Sequence, residues 1–286
     1  MGIRRTVERY QVSELPVVAI EPSHGWVHLN LRELWAYRDL LLFLAWRDIS
    51  VRYKQTLVGS AWAVIQPFFS MIVFSLFFGR LAGIPSDGVP YPIFSYVGLL
   101  PWQLFAASLS GVAESVVGNA RLLTKVYFPR LIVPMASALP PLLDFGIAFG
   151  VLFVMMLYYR IIPTLNVVWL PVFLLLALVT ALGVGLSLAA LNVKYRDIRY
   201  VVPFLVQLWM FASPVVYPGS LLPSSWRAVY GLNPMVGVIE GFRWALLGTQ
   251  TAPGAIVLVS AVVALGALIL ALVYFRRVEE TFADVV

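Results

Sequence analysis

The sequence predicts an all-α integral membrane protein, with six transmembrane helices, an N-terminal amphipathic interface helix and two short re-entrant helices between helices five and six. Three observations carry that prediction. Of 286 residues, 61% are hydrophobic and only 12% charged, with a mean hydropathy of +0.89; a soluble domain with so few charges could not cover its own surface. Runs of about twenty apolar residues, the length that crosses a bilayer, recur along the chain. Short clusters of Lys and Arg abut those runs and mark membrane boundaries. The clearest boundary lies in 191–218, where Lys194, Arg196 and Arg199 lead into an apolar segment that holds Trp209 and closes on Ser213-Pro214 and Tyr217-Pro218.

Residues 1–29 read as a cytoplasmic arm with little periodicity and no sustained apolar stretch of the signal-peptide kind. Its two histidines, His24 and His28, are four apart, but Pro22 and Gly25 argue against a helix there, so no metal site is predicted. Asn30 and Glu33 resemble a capping box that opens a helix over 30–54. Leu31, Leu34, Trp35, Leu42, Ala45, Trp46 and Ile49 recur at helical spacing, and Arg32, Glu33, Asp39, Arg47 and Asp48 fall largely on other faces. The pattern fits a helix lying in the membrane interface with Trp35 and Trp46 at headgroup depth. An ordinary helix on a soluble domain would share it, but the chain offers no such domain.

The first span covers about 57–79, free of charge and roughly 34 Å long as a helix, with Pro67 expected to kink it. The others run about 93–117, 132–158, 165–191, 200–217 and 254–275, the last stopping at Arg276-Arg277. With these spans, sixteen Lys and Arg fall on one side, and four (Arg80, Arg160, Arg227 and Arg243) on the other. The positive-inside bias then puts both termini in the cytoplasm. Residues 221–247 hold two apolar patches, each too short to span, around a Leu232-Asn233-Pro234 turn. Two half-helices entering the outer leaflet fit, beside protein or a water-filled passage; two helices lying flat on the outer surface fit as well.

Several function classes are excluded. The basic pI, near 9.6, comes from cations in loops beside apolar spans, which suits anionic headgroups rather than nucleic acid. There is no cysteine, hence no thiol or iron–sulfur chemistry. The three lysines, Lys54, Lys125 and Lys194, do not follow a glycine, so no P-loop is present. Asp144, Glu114 and Glu240 are too few for a proton relay; Asp144 is expected to bond backbone or a neighbouring helix, and Glu240 to pair with Arg243 at i+3.

Aromatic residues are the positive signal. Trp62, Phe69 and Phe77 share one face of the first span with Gln66 and Val73, and Trp209 lies on one face of the fifth with Val202, Val206, Ser213 and Val216. Tyr96, Trp102 and Phe105 lie in the outer half of the second. With Tyr217 they suit a passage along which sugar rings stack and slide; helix packing and interfacial belts would use the same residues.

Taken together, RDISVRYKQTLVGSAWAVIQP (47–67), KVYFPRLIVP (125–134), LNVKYRDIRYVVPF (191–204), the Ser213-Pro214 and Tyr217-Pro218 pairs, and LNPM with IEGFRWALLG (232–248) resemble the permease subunits of polysaccharide ABC exporters of the type-2 class, which export O-antigen, capsule or teichoic acid. The resemblance implies a bacterial inner-membrane homodimer with two separate ATP-binding cassette subunits on its cytoplasmic face. ATP and Mg would be bound there, with no cofactor in this chain. Lipid-linked glycan, in preference O-antigen, would pass between the two permeases, and 221–247 would form the outer gate. It further implies a coupling helix in 118–131 and contacts to the ATPase subunit through Arg47, Asp48, Arg121, Lys125, Tyr127, Phe128 and Arg130. Closure of the ATPase pair would push on this loop and on the 30–54 helix, separating spans one and five. Export of a small molecule or drug is the alternative. An ion-coupled transporter would need more membrane carboxylates and two matching halves.

Overall fold

In the computed structural model, residues 31–54, 59–223, 226, 229–248 and 254–279 are described, and among them the chain is helical with no strand. The arm, the Asn30 cap, His24 and His28, half of the first patch of 221–247 and the acidic tail beyond Glu279 lie outside these residues. Helices α1 (Leu31–Ala36) and α2 (Arg38–Lys54) are separated by a single turn residue, Tyr37. The predicted apolar face of this region divides in two. Leu44 and Ala45 are buried against Phe128, Ile132, Val133 and Ala136, whereas Trp35 and Trp46 are exposed, as are Leu42 and Phe43.

Helix α3 (Trp62–Phe74) runs through Pro67 as an α-helix and continues as a π-helix over Ser75–Leu81. After a turn with Gly83 and Gly88 at positive φ, α4 (Tyr91–Gly118) forms the centre of the bundle, with residues buried along its length. The short α5 (Ala120–Lys125) follows. Next come α6 (Ile132–Ser137) and α7 (Pro140–Tyr159), which divide the third span just ahead of Pro140-Pro141. Pro at a helix start has no internal hydrogen bond to lose, so α7 begins there. Helix α8 (Leu170–Lys194) packs along α4 and along the last helix, α11 (Gly254–Glu279). Two glycines permit that approach. A Cβ at Gly183 would come within 2.9 Å of the Leu268 backbone nitrogen, and one at Gly185 within 2.7 Å of the Val112 side chain. Small residues let helices close up where no hydrophobic drive separates protein from lipid.

Among the described residues, five helical stretches are long and apolar enough to cross a membrane: Trp62–Leu81, Tyr91–Gly118, Ile132–Tyr159, Leu165–Lys194 and Gly254–Glu279. The segment expected as the fifth span, 200–217, takes another form. It is the 14-residue helix α9 (Ile198–Phe211), about 21 Å long at helical rise, followed by an irregular stretch to Pro218. Beyond it, α10 (Pro234–Leu247) is buried along most of its length and ends on Gly248 at φ 64°, a left-handed conformation that costs glycine little. The main core joins α3, α4, α7, α8, α9, α10 and α11.

Candidate functional site

A cavity of about 990 Å³ opens between α3 and α9, with α4 as its back wall, α7 beside it and the end of α2 at its mouth. Trp62, Phe74, Trp102 and Phe145 supply aromatic surface, and Gln66, Ser70, Gln103, Ser110 and Gln207 supply amides and hydroxyls. Pro67 has no N–H to donate, so the carbonyl of Ala63 is left without its helical donor; both residues line the same wall. Donors and acceptors therefore alternate with ring faces, the composition that holds a hydroxyl-rich, flat-sided ligand.

At the mouth, Arg52 Nη1 donates to Asp144 Oδ2 at 2.5 Å, and the Tyr53 hydroxyl donates to Asp144 Oδ1. Asp144 thus bonds a neighbouring helix, as expected from its sequence context, and ties α7 to α2. Burial, and next the hydrogen bond to Asp144, push the Tyr53 phenol up from 10.0 to about 12, so it stays a neutral donor. Further along α2, Arg47 bridges Asp48 at 2.7 Å and Asn119 Oδ1 at 2.8 Å, which joins α2 to the end of α4.

The far end of α9, beyond Phe211, is built differently. Backbone that leaves a helix at membrane depth must find partners within the protein, and here α10 provides most of them. Asn233 Nδ2 donates to the Ser213 hydroxyl at 2.9 Å and to the Ala212 carbonyl at 3.2 Å. Its Oδ1 accepts from Trp209 Nε1 at 2.9 Å and caps α10 through the Met235 N–H at 3.1 Å. Arg243, 1% exposed, donates to the carbonyls of Val215 at 2.8 Å and Tyr217 at 3.3 Å. Its guanidinium lies 3.6 Å above the Phe94 ring and pairs with Glu240 at 3.3 Å. Glu240 also accepts from the Gly219 N–H at 3.1 Å, and the Tyr91 hydroxyl donates to the Val216 carbonyl at 2.5 Å. A Cβ at Gly98 would stand 2.9 Å from the guanidinium, so glycine gives Arg243 its room.

The residues predicted for a passage fall in four places. Trp62 and Trp102 meet at the cavity, while Phe69 on α3 and Phe77 on its π-helical continuation stand exposed. Trp209 and Tyr217 lie at the far end of α9, where the Tyr217 hydroxyl donates to the Phe211 carbonyl at 3.1 Å and accepts from Tyr230 at 3.0 Å. Tyr96 is fully buried, its hydroxyl donating to the Ala148 carbonyl at 3.1 Å. Trp102, Phe105 and Trp209 are in ring contact, with centroids 5.2 and 5.0 Å apart.

Of the residues predicted for coupling, Arg47 and Asp48 pair with each other, and Arg121, Lys125 and Tyr127 are exposed. Phe128 is 4% exposed, wedged between α2 and α6. Arg130 donates to the backbone carbonyl of Glu279 at the end of α11. The sequence reading missed Gln103, Gln207, Ser70 and Ser110 as cavity residues, and Asn233 as a clamp. Three glutamines inside charge-free spans were the available signal, because an amide there is costly unless something needs it.

These features describe a multi-pass transport component, and the chain belongs to the ABC-2 type transporter family, whose model matches residues 39–247, from α2 to the end of α10. Among curated proteins it is similar to the O-antigen export system permease protein RfbA of Myxococcus xanthus, 35% identical over 216 residues, which cover 74% of this chain and 82% of that one. It is 27% identical to the RfbA permease of Klebsiella pneumoniae, over 72% of this chain and 79% of that protein. The polysialic acid transport protein KpsM of Escherichia coli is 24% identical over 84% of this chain and 92% of its own length.

Proposed function

We propose that this chain is the membrane-spanning permease subunit of an ATP-driven exporter that carries lipid-linked polysaccharide, an O-antigen, from the cytoplasm across a bacterial inner membrane. The observation that carries this reading is the cavity between α3 and α9, walled by aromatic rings and amides in a chain whose similar relatives are O-antigen export permeases. Two copies face each other through the exposed apolar faces of α3 and α9, and the glycan passes between them. In that arrangement α9 with its irregular extension makes the sixth crossing, 221–247 forms a re-entrant outer gate, and both termini lie in the cytoplasm.

ATP is hydrolysed in a separate pair of cassette subunits docked against α5, residues 126–131 and α2. The exposed Arg121, Lys125 and Tyr127 suit contact with such a partner. Buried Phe128 suits a lever, since it fills the gap between α2 and α6. A push on this loop moves α2, and through Arg52, Tyr53 and Asp144 it reaches the mouth of the cavity.

Depletion of the chain in its host tests the reading. The expected result is loss of the surface polymer and accumulation of lipid-linked glycan on the cytoplasmic side. Normal surface polymer with altered sensitivity to small toxic compounds overturns it.

A further inference from the structure

The cavity is polar without being charged. Among the described residues, Arg52 and Asp144 are the only oppositely charged side chains that line it, and they sit against each other at 2.5 Å. Every other polar side chain of its wall is an amide, a hydroxyl or an indole. The helices that bound it carry no charge at membrane depth: none occurs from Gly59 to Gly79, from Tyr91 to Ala113 or from Tyr200 to Tyr217. Arg243, the nearest buried cation beyond, is occupied by Glu240 and by two carbonyls.

A ligand with a carboxylate or phosphate in each repeat would leave water for a groove whose one lining cation, Arg52, is already paired with Asp144. Burying an unpaired charge costs far more than burying a hydroxyl that finds an amide. Three glutamines and two serines instead match a neutral polyol, since each can donate and accept as the chain advances. Neutral hydrogen bonds are also individually weak, which lets the chain slide instead of lodging.

We propose that the glycan accepted by this cavity is uncharged along its polymer, and that Gln66, Gln103 and Gln207 set this preference. The proposal rests on the export reading above. It places the lipid-borne diphosphate, if the carrier has one, at the mouth or outside the cavity, away from the amide-lined wall.

The test uses the glycan that accumulates when the chain is depleted. The glycan is released from its lipid by mild acid and passed over an anion exchanger at neutral pH. Polymer that flows through unretained is the expected result. Polymer retained by charge in its repeats overturns the proposal and leaves the export reading intact, whereas no accumulated glycan overturns both. A second arm restores the depleted host with the Gln103→Leu/Gln207→Leu variant at an equal membrane level. Loss of about two hydrogen bonds to the moving chain lowers surface polymer about tenfold. Unchanged surface polymer overturns the role of the glutamines.

Discussion

The far end of α9 and the mouth of the cavity are held by opposite means. Beyond Phe211, residues 212–219 leave the helix and are held mainly from α10 and its cap, with Asn233 on the first residues and buried Arg243 and part-buried Glu240 on the last, while Tyr91 of α4 holds Val216. At the cavity mouth, α2 is tied to α7 by the half-exposed Arg52–Asp144 ion pair, and further along α2 Arg47 reaches Asn119 at the end of α4. A buried cation such as Arg243, whose partners lie inside the protein, favours a single arrangement, because any other leaves it unpaired at membrane depth. Exposed pairs exchange with water at little cost. The far end is thus built to move with α10 as one body, and the mouth is built to open and re-form.

The most severe way to break this comparison is Arg243→Met. It strands Glu240 and the carbonyls of Val215 and Tyr217, and should cost about 3–5 kcal/mol. Thermal unfolding in detergent reads this as a large fall in melting temperature. Adding Glu240→Gln should recover part of the loss, since the stranded charge is gone; a double variant as unstable as the single would deny that the pair acts as a unit. Asn233→Ala comes next, at about 2 kcal/mol, for a lost helix cap and three further bonds. Its readout beyond melting is Trp209 fluorescence, which should shift as the indole loses its acceptor.

At the mouth, Asp144→Asn should cost only about 1 kcal/mol, because its partners are solvent-accessible. Cysteines placed on α2 and α7 should cross-link more slowly in that variant. A loss as large as that of Arg243→Met would show that the mouth is as rigid as the far end of α9. The smallest effect is alkaline. Tyr53 has its folded pKa raised from 10.0 to about 12, so the stability it adds is fully present below pH 10 and fades as pH rises toward 12. The difference in melting temperature between the native chain and Tyr53→Phe should vanish across that window.

Composition, charge clusters and apolar run lengths made most of the fold legible. Helices long and apolar enough to cross a membrane match four of the six expected spans within a few residues of their predicted ends. The first span has its helix too, but it starts five residues later than expected, runs through Pro67 as an α-helix and turns to a π-helix further along. The site was legible in part. Trp62 and Trp102 reach the cavity and the Glu240–Arg243 pair forms, yet helical spacing gave Tyr96 and Trp102 the same standing although one is sealed in the core and the other forms a wall.

Sequence by itself determined the solvent, the class of fold and the approximate crossings, because transfer of apolar side chains to lipid is a local property of each segment. Tertiary structure alone decided where α9 stops and what holds the chain beyond it, because those carbonyls are satisfied by residues some twenty or more positions away. It also decided that three glutamines from three helices face one cavity. No periodicity within a single helix encodes which neighbour its polar residue will meet; that follows from packing, where Gly98, Gly183 and Gly185 set how closely the elements approach.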